Sequence, residues 1–598
     1  MLRELPAPTR RAVLALIASA GVLYFTLGWA RYASFHNETF DLAFYARLAW
    51  GIAHQDHWEP MVNAHMYGLH LSPVLLPIGL LGRVVGTVFV LLATQSTLLA
   101  LSAVPLADMG MRRFGPDGAI VAAIAWLLYP NLGHVTGYEA HPGTMAALPL
   151  AWCAWAIDRG SLRGLALASV GTLMFREDLA LGVAVACVLY AWLHRDHAKR
   201  ALAIAGGCAA YLAFFLFYLH PTYAPASGSL ELHFARFGAT IPEIATYPLR
   251  HPLDFAAYLA TPARLAYVPK ILAPLALLPL LRARWLIPAL PVLAVNLISE
   301  WPTATDLDVH YLTPAAPWLV AGAIDGAARI DETYRRPALV ALVVGAVASH
   351  VIAGGTPFSI DYDRAAFVPD PNRQPADRIV ERIGPDASVQ APYAILPHVA
   401  ERRSLQRTSH PESNADFYVL DLSHRRRFAG REDVLRTVEE PRARAWIARD
   451  DHAVVMVAGD YALLERGVDP RHGVGTDAIV GRADPDAGQP LCACLAILGA
   501  RLEGERLTLD LVARSACPSD LAIRIGTRNR PRHADLIAGG VLSPAHFRRG
   551  DRIESPHVLS PDERDSILQS GLRVGAVRQS GARPEPTDPD SVRVPLVR

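Results

Sequence analysis

Lysine is almost missing from these 598 residues: Lys199 and Lys270 are the only two, although lysine and arginine together number 57. A bias of that size is the signature of a GC-rich genome and carries no chemistry of its own. A concentrated basic tract is missing too. With 57 basic against 56 acidic residues and a net charge of +1, no nucleic-acid partner is expected. Cysteine is scarce, and six are too few to frame a fold with disulfides. Cys153, Cys187 and Cys208 sit in apolar runs, as inert core residues do. Cys492, Cys494 and Cys517 lie in more polar sequence. Cys492 and Cys494 share one face of an expected strand, and outside the cytoplasm one of them can pair with Cys517.

Charge is thin as well, at 19% of residues against 52% hydrophobic, and it is unevenly spread. Up to about Ala353 apolar runs alternate with short polar clusters, whereas beyond Gly354 the chain is rich in Arg, Asp and Pro. A run of ~20 apolar residues is what a membrane helix needs. The sequence therefore predicts an α-helical polytopic membrane domain over residues 1–353, with about eleven transmembrane helices. The stretch Ala12–Ala30 reads as a retained first span, not as a cleaved leader. Basic clusters belong on the cytoplasmic side. One alternating assignment puts Arg10 and Arg11, Arg112 and Arg113, Arg159 and Arg163, His194 to Arg200, Arg282 and Arg284, and Arg329 to Arg336 inside. The apolar run Leu71–Leu81 is too short to span and suits a re-entrant or interfacial helix.

After the membrane part, residues 354–480 alternate helix and strand and predict an extracytoplasmic α/β domain. Its elements are a helix over Pro375–Ile383, strands at Ser388–Ala391, Phe417–Leu420 and Ala453–Val457, and a helix over Val434–Arg449. Residues 481–579 read as β-rich, from the runs Leu491–Leu498 and Leu507–Val512, and 580–598 as a flexible tail.

Under that topology the unusual polar residues gather on the outer side. Asp41 follows the first span, and His70 opens the short apolar run. Glu139 and His141 lie in the second outer loop. Arg176, Glu177 and Asp178 interrupt apolar sequence, Arg264 and Lys270 end a long outer loop, and His310 and Tyr311 follow Asp306 and Asp308. Ionisable groups at membrane depth mark function or pair internally. Each has a plainer reading: Asp41 and His70 as helix caps, Glu139 and His141 as solvated loop residues, Arg176–Asp178 as a self-satisfied ion cluster. Their convergence favours function. Asp41 suits a general base. Glu139, His141 and Asp178 suit a divalent cation (Mg²⁺, Mn²⁺ or Zn²⁺). His70, Arg176, Glu177, Arg264, Lys270, His310 and Tyr311 suit a substrate, with the cationic side chains placed for a phosphate.

These residues, in this order, resemble the DUF2079 family of membrane proteins. The resemblance runs through Phe40-Asp41, His70-Leu71-Ser72-Pro73, Leu128-Tyr129-Pro130, Glu139-Ala140-His141-Pro142, Arg176-Glu177-Asp178 and His310-Tyr311, and on to Pro397-His398. Glu139 stands where an aspartate is usual and Arg176 where lysine is common. The family is similar at a distance to the GT-C membrane glycosyltransferases. Those enzymes take sugars from polyprenyl-phosphate donors and use an acidic residue just after the first helix as base, the place that Asp41 holds. The resemblance thus implies a GT-C-like multi-pass protein of the bacterial inner membrane, with its C-terminal domain outside, transferring a sugar from a polyprenyl-phosphate donor. Two other functions remain open: a non-catalytic scaffold or sensor, and a lipid or solute transporter. A transporter calls for repeat symmetry and mid-membrane charge pairs, and the sequence shows neither.

Overall fold

The computed structural model describes residues 5–224, 233–371, 373–408, 414–421, 446–459, 461–470, 479–504, 506–519, 521–527, 531–537, 543–559, 561–578 and 592–597. It divides into two compact units, Met1–Asp370 with Leu396–Arg403, and Pro371–Ile395 with Ser404–Arg598.

The first unit is helical. Four helical stretches are long and apolar enough to cross a bilayer: Ala7–Ala33, Thr87–Leu127, Arg195–Tyr223 and Glu332–Ala353. A fifth is reached if Pro262–Leu275 and Leu278–Trp285, bent by 101° at their junction, count as one span. Leu75–Val85, Leu162–Leu173 and Leu179–Leu193 are apolar but shorter. The polytopic helical architecture is present, but about eleven full-length spans are not found among the described residues. The expected spans on either side of Arg112 and Arg113 are present as the two arms of one hairpin, because Gly115, at φ +67°, folds the Thr87–Leu127 stretch back on itself. The arms pack backbone to backbone, since a Cβ on Gly110 would stand 2.1 Å from the Gly118 carbonyl oxygen. Ala276 and Leu277, both left-handed, break the expected span that returns to Arg282 and Arg284.

At the basic end of the bundle three expected inner turns meet. Arg113 pairs with both Asp158 and Asp325, the latter at 3.0 Å, and Asp325 also takes Arg284 at 2.5 Å. Asp108 holds Arg159 at 3.1 Å and the Trp155 indole at 2.8 Å. The turns around Arg112, Asp158 and Arg284 therefore share one end, as the charge pattern demands. The first unit also runs past residue 353 to Asp370, because that segment packs back on the bundle: His350 bonds Thr356 at 2.7 Å, and Phe367 lies against Gly137.

Among the described residues the second unit carries three sheets. A mixed five-stranded sheet holds Val389–Ala391, Leu405–Arg407, Phe417–Asp421, His452–Ala458 and Tyr461–Arg466, with the helix Ala376–Arg382 before it. A six-stranded sheet is built on the hairpin Leu495–Glu503 with Arg506–Ala513, and a four-stranded sheet on Leu521–Gly526 with Leu572–Arg578. Alternation of Leu507, Leu509 and Leu511 buries one face of the six-stranded sheet, as a period of two requires. The helix expected over Val434–Arg449 lies mostly outside the described residues. The tail expected to be flexible contains two strands, Val592–Val594 and Leu596–Val597, which pair with Leu572–Arg578 and Leu495–Glu503. Alternating Val592, Val594 and Leu596 give it an apolar edge to dock. The cysteine pair is Cys494–Cys517, with Cα atoms 5.4 Å apart.

Candidate functional site

The expected outer residues of the first unit converge on the head of the helix Asp41–Ala53. Asp41 is its first residue, with Phe40 in the cap position and no side-chain cap of its own. The Asp41 carboxylate meets His141 Nε2 at 3.2 Å and accepts from the Thr39 hydroxyl at 3.3 Å. His141 is buried and stacks on the His310 ring, with centroids 3.7 Å apart and planes 19° from parallel. Tyr45, one turn along the Asp41 helix, meets the His141 ring edge to face at 5.6 Å. Tyr311 follows at 4.3 Å from His310.

Glu139 is fully buried and serves the backbone. One carboxylate oxygen accepts from the Leu42 amide, and the other from Thr39 N at 3.4 Å and Asn37 Nδ2 at 3.5 Å. Carboxylates suit a helix N-terminus, where amide hydrogens are unmet by the helix itself. Glu139 therefore does for the Asp41 helix what a local cap does elsewhere, and Asp41 is left to face His141. Burial and the nearby Asp41 charge push the Glu139 carboxyl well above the usual range.

Two uncharged residues that the sequence gave no reason to single out hold the loops in place. Gln95 donates to the carbonyls of Val135 at 3.0 Å and Glu139 at 2.7 Å, and accepts from His141 N at 2.9 Å and from the Thr144 hydroxyl. Asn131 donates to Leu307 O at 2.6 Å and Val309 O at 2.8 Å, and accepts from Thr313. The first fixes His141 and the second fixes His310. A third contributor is more remote. The segment Leu396–Arg403 belongs to the first unit, and its His398 ring lies between Tyr32 and Phe35, at 4.1 and 3.9 Å. The Pro397-His398 motif thus reaches the start of the loop that carries Asp41.

His70 and Glu177 form a second pair at 2.9 Å, and Glu177 also accepts from the Leu71 amide at 2.9 Å. His70 and the neighbouring Arg176 hold the Glu177 carboxyl below its ordinary range despite burial. Arg176 pairs with Asp178 at 2.8 Å, within electrostatic range of Tyr45 and Tyr311, and its Nε is buried without a partner. Gly143 makes room for it, since a Cβ there would stand 3.3 Å from Arg176 Cδ. Burial, with His141 and Arg176 close by, holds His310 neutral, far below its usual titration range.

Arg264 and Lys270 are the two remaining expected phosphate binders. Arg264 donates to Leu297 O at 2.7 Å and Ser299 O at 2.9 Å, reaches Thr261 and the Tyr258 hydroxyl, and lies 3.7 Å over the Tyr258 ring. All three of its nitrogens hold internal partners. Lys270 is exposed, with Asp306 as its charged neighbour.

For a cation, the group among the described residues whose donor atoms lie within 4.8 Å of one another is Asp41, His141 and His310. Neither Glu139 nor Asp178 is in it. Two imidazoles and a carboxylate are a donor set that suits Zn²⁺, and the Nδ1 atoms of His141 and His310 are buried without partners. The near-parallel rings aim their in-plane lone pairs side by side and not at one point, so joint ligation needs one ring to turn.

A family model described as a predicted membrane protein, DUF2079, matches residues 31–432, about two thirds of the chain. No curated protein matches. Among solved structures, ArnT from Cupriavidus metallidurans bound to undecaprenyl phosphate is similar at 12% identity and a TM-score of 0.42, over 76% of this chain and 97% of that one. The apo form of the same enzyme gives 13% and 0.44. The Archaeoglobus fulgidus oligosaccharyltransferase in its apo form gives 12% and 0.35, over 75% of this chain and 74% of that one. Likeness this loose carries no argument about activity.

Proposed function

The chain belongs to the DUF2079 family of membrane proteins, and on that footing we propose that it transfers a sugar from a polyprenyl-phosphate donor at the outer face of a bacterial inner membrane. The observation that carries the reading is the Asp41–His141 pair at 3.2 Å, at the head of a helix already capped by Glu139. A carboxylate so relieved of structural duty is available to take a proton. In the proposed reaction an acceptor hydroxyl attacks the anomeric carbon. The new carbon–oxygen bond forms as the bond to the lipid phosphate breaks, and the hydroxyl proton passes to Asp41. His141 holds the carboxylate in line, and Arg176, with its unpartnered Nε, meets the charge growing on the departing phosphate. Electrostatic stabilisation of a leaving group needs a cation fixed in advance, and Asp178 fixes this one.

The loss of a positioned base slows a reaction by roughly 10²–10⁴-fold. Asp41→Asn keeps the shape and should abolish transfer in a lipid-linked sugar assay while leaving expression and donor binding near normal. Normal transfer by that variant would refute the assignment of Asp41 as the base.

A second reading rests on the Asp41, His141 and His310 cluster. A divalent cation of the Zn²⁺ or Mn²⁺ kind held there would polarise the donor phosphate. Metal analysis of the purified protein separates the two: bound metal lost in both Asp41→Asn and His310→Ala supports the cation, and none in the active wild type supports the bare pair.

A further inference from the structure

The tight turn Cys492-Ala493-Cys494-Leu495 in the second unit holds a free thiol beside a disulfide. The strand Gln489–Cys492 pairs with Leu495–Glu503, with Cys492 opposite Leu495, so the turn brings both cysteines to one spot. Cys494 is bonded to Cys517, and the free Cys492 Sγ lies 3.5 Å from Cys494 Sγ. That distance is sulfur–sulfur contact. Cys494 and Cys517 are buried, whereas Cys492 is half-buried and open to solvent. Cys517 lies in the connection from the strand Arg506–Ala513 to Leu521–Gly526, where the chain passes from the six-stranded sheet to the four-stranded one. Backbone bonds already hold both ends of this staple, Arg514 N to Cys494 O at 2.8 Å and Cys517 N to Pro544 O at 3.0 Å. The sulfurs can therefore trade partners without the strands coming apart.

We propose that Cys492 is an attacking thiol that moves the disulfide within this trio. Cys492 gives up its proton to solvent, and the thiolate attacks Cys494 Sγ. The Cys492–Cys494 bond forms as Cys494–Cys517 breaks, and the electron pair leaves on Cys517, which takes up a proton. One disulfide is exchanged for another, so no oxidant or reductant is required. Thiolate attack on a disulfide sulfur is the ordinary route of such exchange. This site is independent of the sugar-transfer reading.

Trypsin separates the players, since Cys492 and Cys494 lie together between Arg482 and Arg501, and Cys517 between Arg514 and Arg524. The full chain, purified in detergent without reductant, is held at pH 8, trapped with N-ethylmaleimide, digested and weighed. Exchange predicts two populations. In one the two peptides are joined and Cys492 carries the label. In the other the first peptide is free, two hydrogens lighter, and Cys517 carries the label. Label on Cys492 alone after a day would overturn the proposal, as would label on all three cysteines. Cys517→Ser is the second arm, leaving Cys492 and Cys494 side by side. With oxidised glutathione this variant should close the Cys492–Cys494 bond, and alkylation of both thiols after that treatment would overturn the proposal as well.

Discussion

The carboxylate of Glu139 closes on the backbone amide of Leu42, 97 residues earlier in the chain. That bond ties the segment that follows the helix Pro130–Tyr138 to the helix that begins with Asp41. Replacing an N-cap side chain by alanine costs about 0.5–2 kcal/mol. Here the amide left without a partner, that of Leu42, is buried, which sets the cost at roughly 1–3 kcal/mol. Glu139→Ala should therefore lower the unfolding midpoint and displace Asp41. Glu139→Gln, which keeps an accepting oxygen, should restore most of the stability. Thermal unfolding of the two variants in detergent checks this, and an alanine variant as stable as the wild type would contradict it.

His398 fills a slot between Tyr32 and Phe35 and bonds the Tyr32 carbonyl at 3.0 Å. Stacked pairs contribute about 0.5–1.5 kcal/mol beyond their buried area. His398→Ala should loosen Leu396–Arg403, and limited proteolysis should cut within that segment faster than in the wild type. His398→Phe keeps the stack and loses only the hydrogen bond, so its cleavage should be intermediate.

The polar positions of the site were legible in the sequence because ionisable residues stand out against apolar runs. Asp41, His70, Glu139, His141, Arg176, Glu177, His310 and Tyr311 were all found that way, and the charge pattern gathered them at one end. Their division of labour was not legible. Whether Glu139 holds a cation or an amide depends on which backbone comes to it, and no local pattern encodes that. Gln95 and Asn131 gave no signal, since a lone amide in an apolar run is unremarkable until its partners across the fold are known. Arg264 is the opposite case: a cation in such a sequence looks free until the C-terminal end of the helix Leu290–Ile298 brings it carbonyl partners. The break at Ala276–Leu277 was hidden within a run apolar enough to read as continuous, whereas the turn at Gly115 falls where Arg112 and Arg113 placed a turn between two spans.

Asp325 faces Arg113, Arg282 and Arg284 at 3.0, 3.5 and 2.5 Å. Removing one partner of a buried ion cluster costs about 3–5 kcal/mol, because the remaining charges lose their counter-ion. Asp325→Ala should be among the most destabilising single changes in the first unit. It should also leave Asp41, His141 and His310 in place wherever the protein survives. Comparing its unfolding midpoint with that of Glu332→Ala, an exposed pair to Arg335, checks the point, since a surface pair is worth ~0–1 kcal/mol.

Glu59 supplies a pH-dependent prediction away from the Asp41 cluster. It is fully buried, one oxygen accepts from Met61 N at 3.0 Å, and the other has no partner. Burial pushes its carboxyl up to about 8 from an ordinary 4.5, against the opposing pull of Arg47. Between those values the folded chain holds a proton there that the unfolded chain has released. Stability from this group is thus complete below about 4.5 and is lost as pH rises through about 8. Across that window the slope is about 1.4 kcal/mol per pH unit for one proton. Glu59→Gln carries no titrating proton, so its unfolding midpoint should fall less than the wild type's between pH 6 and pH 8, and the variant should be the more stable protein at pH 8. Parallel pH dependences in the two proteins would show that Arg47 keeps Glu59 ionised throughout.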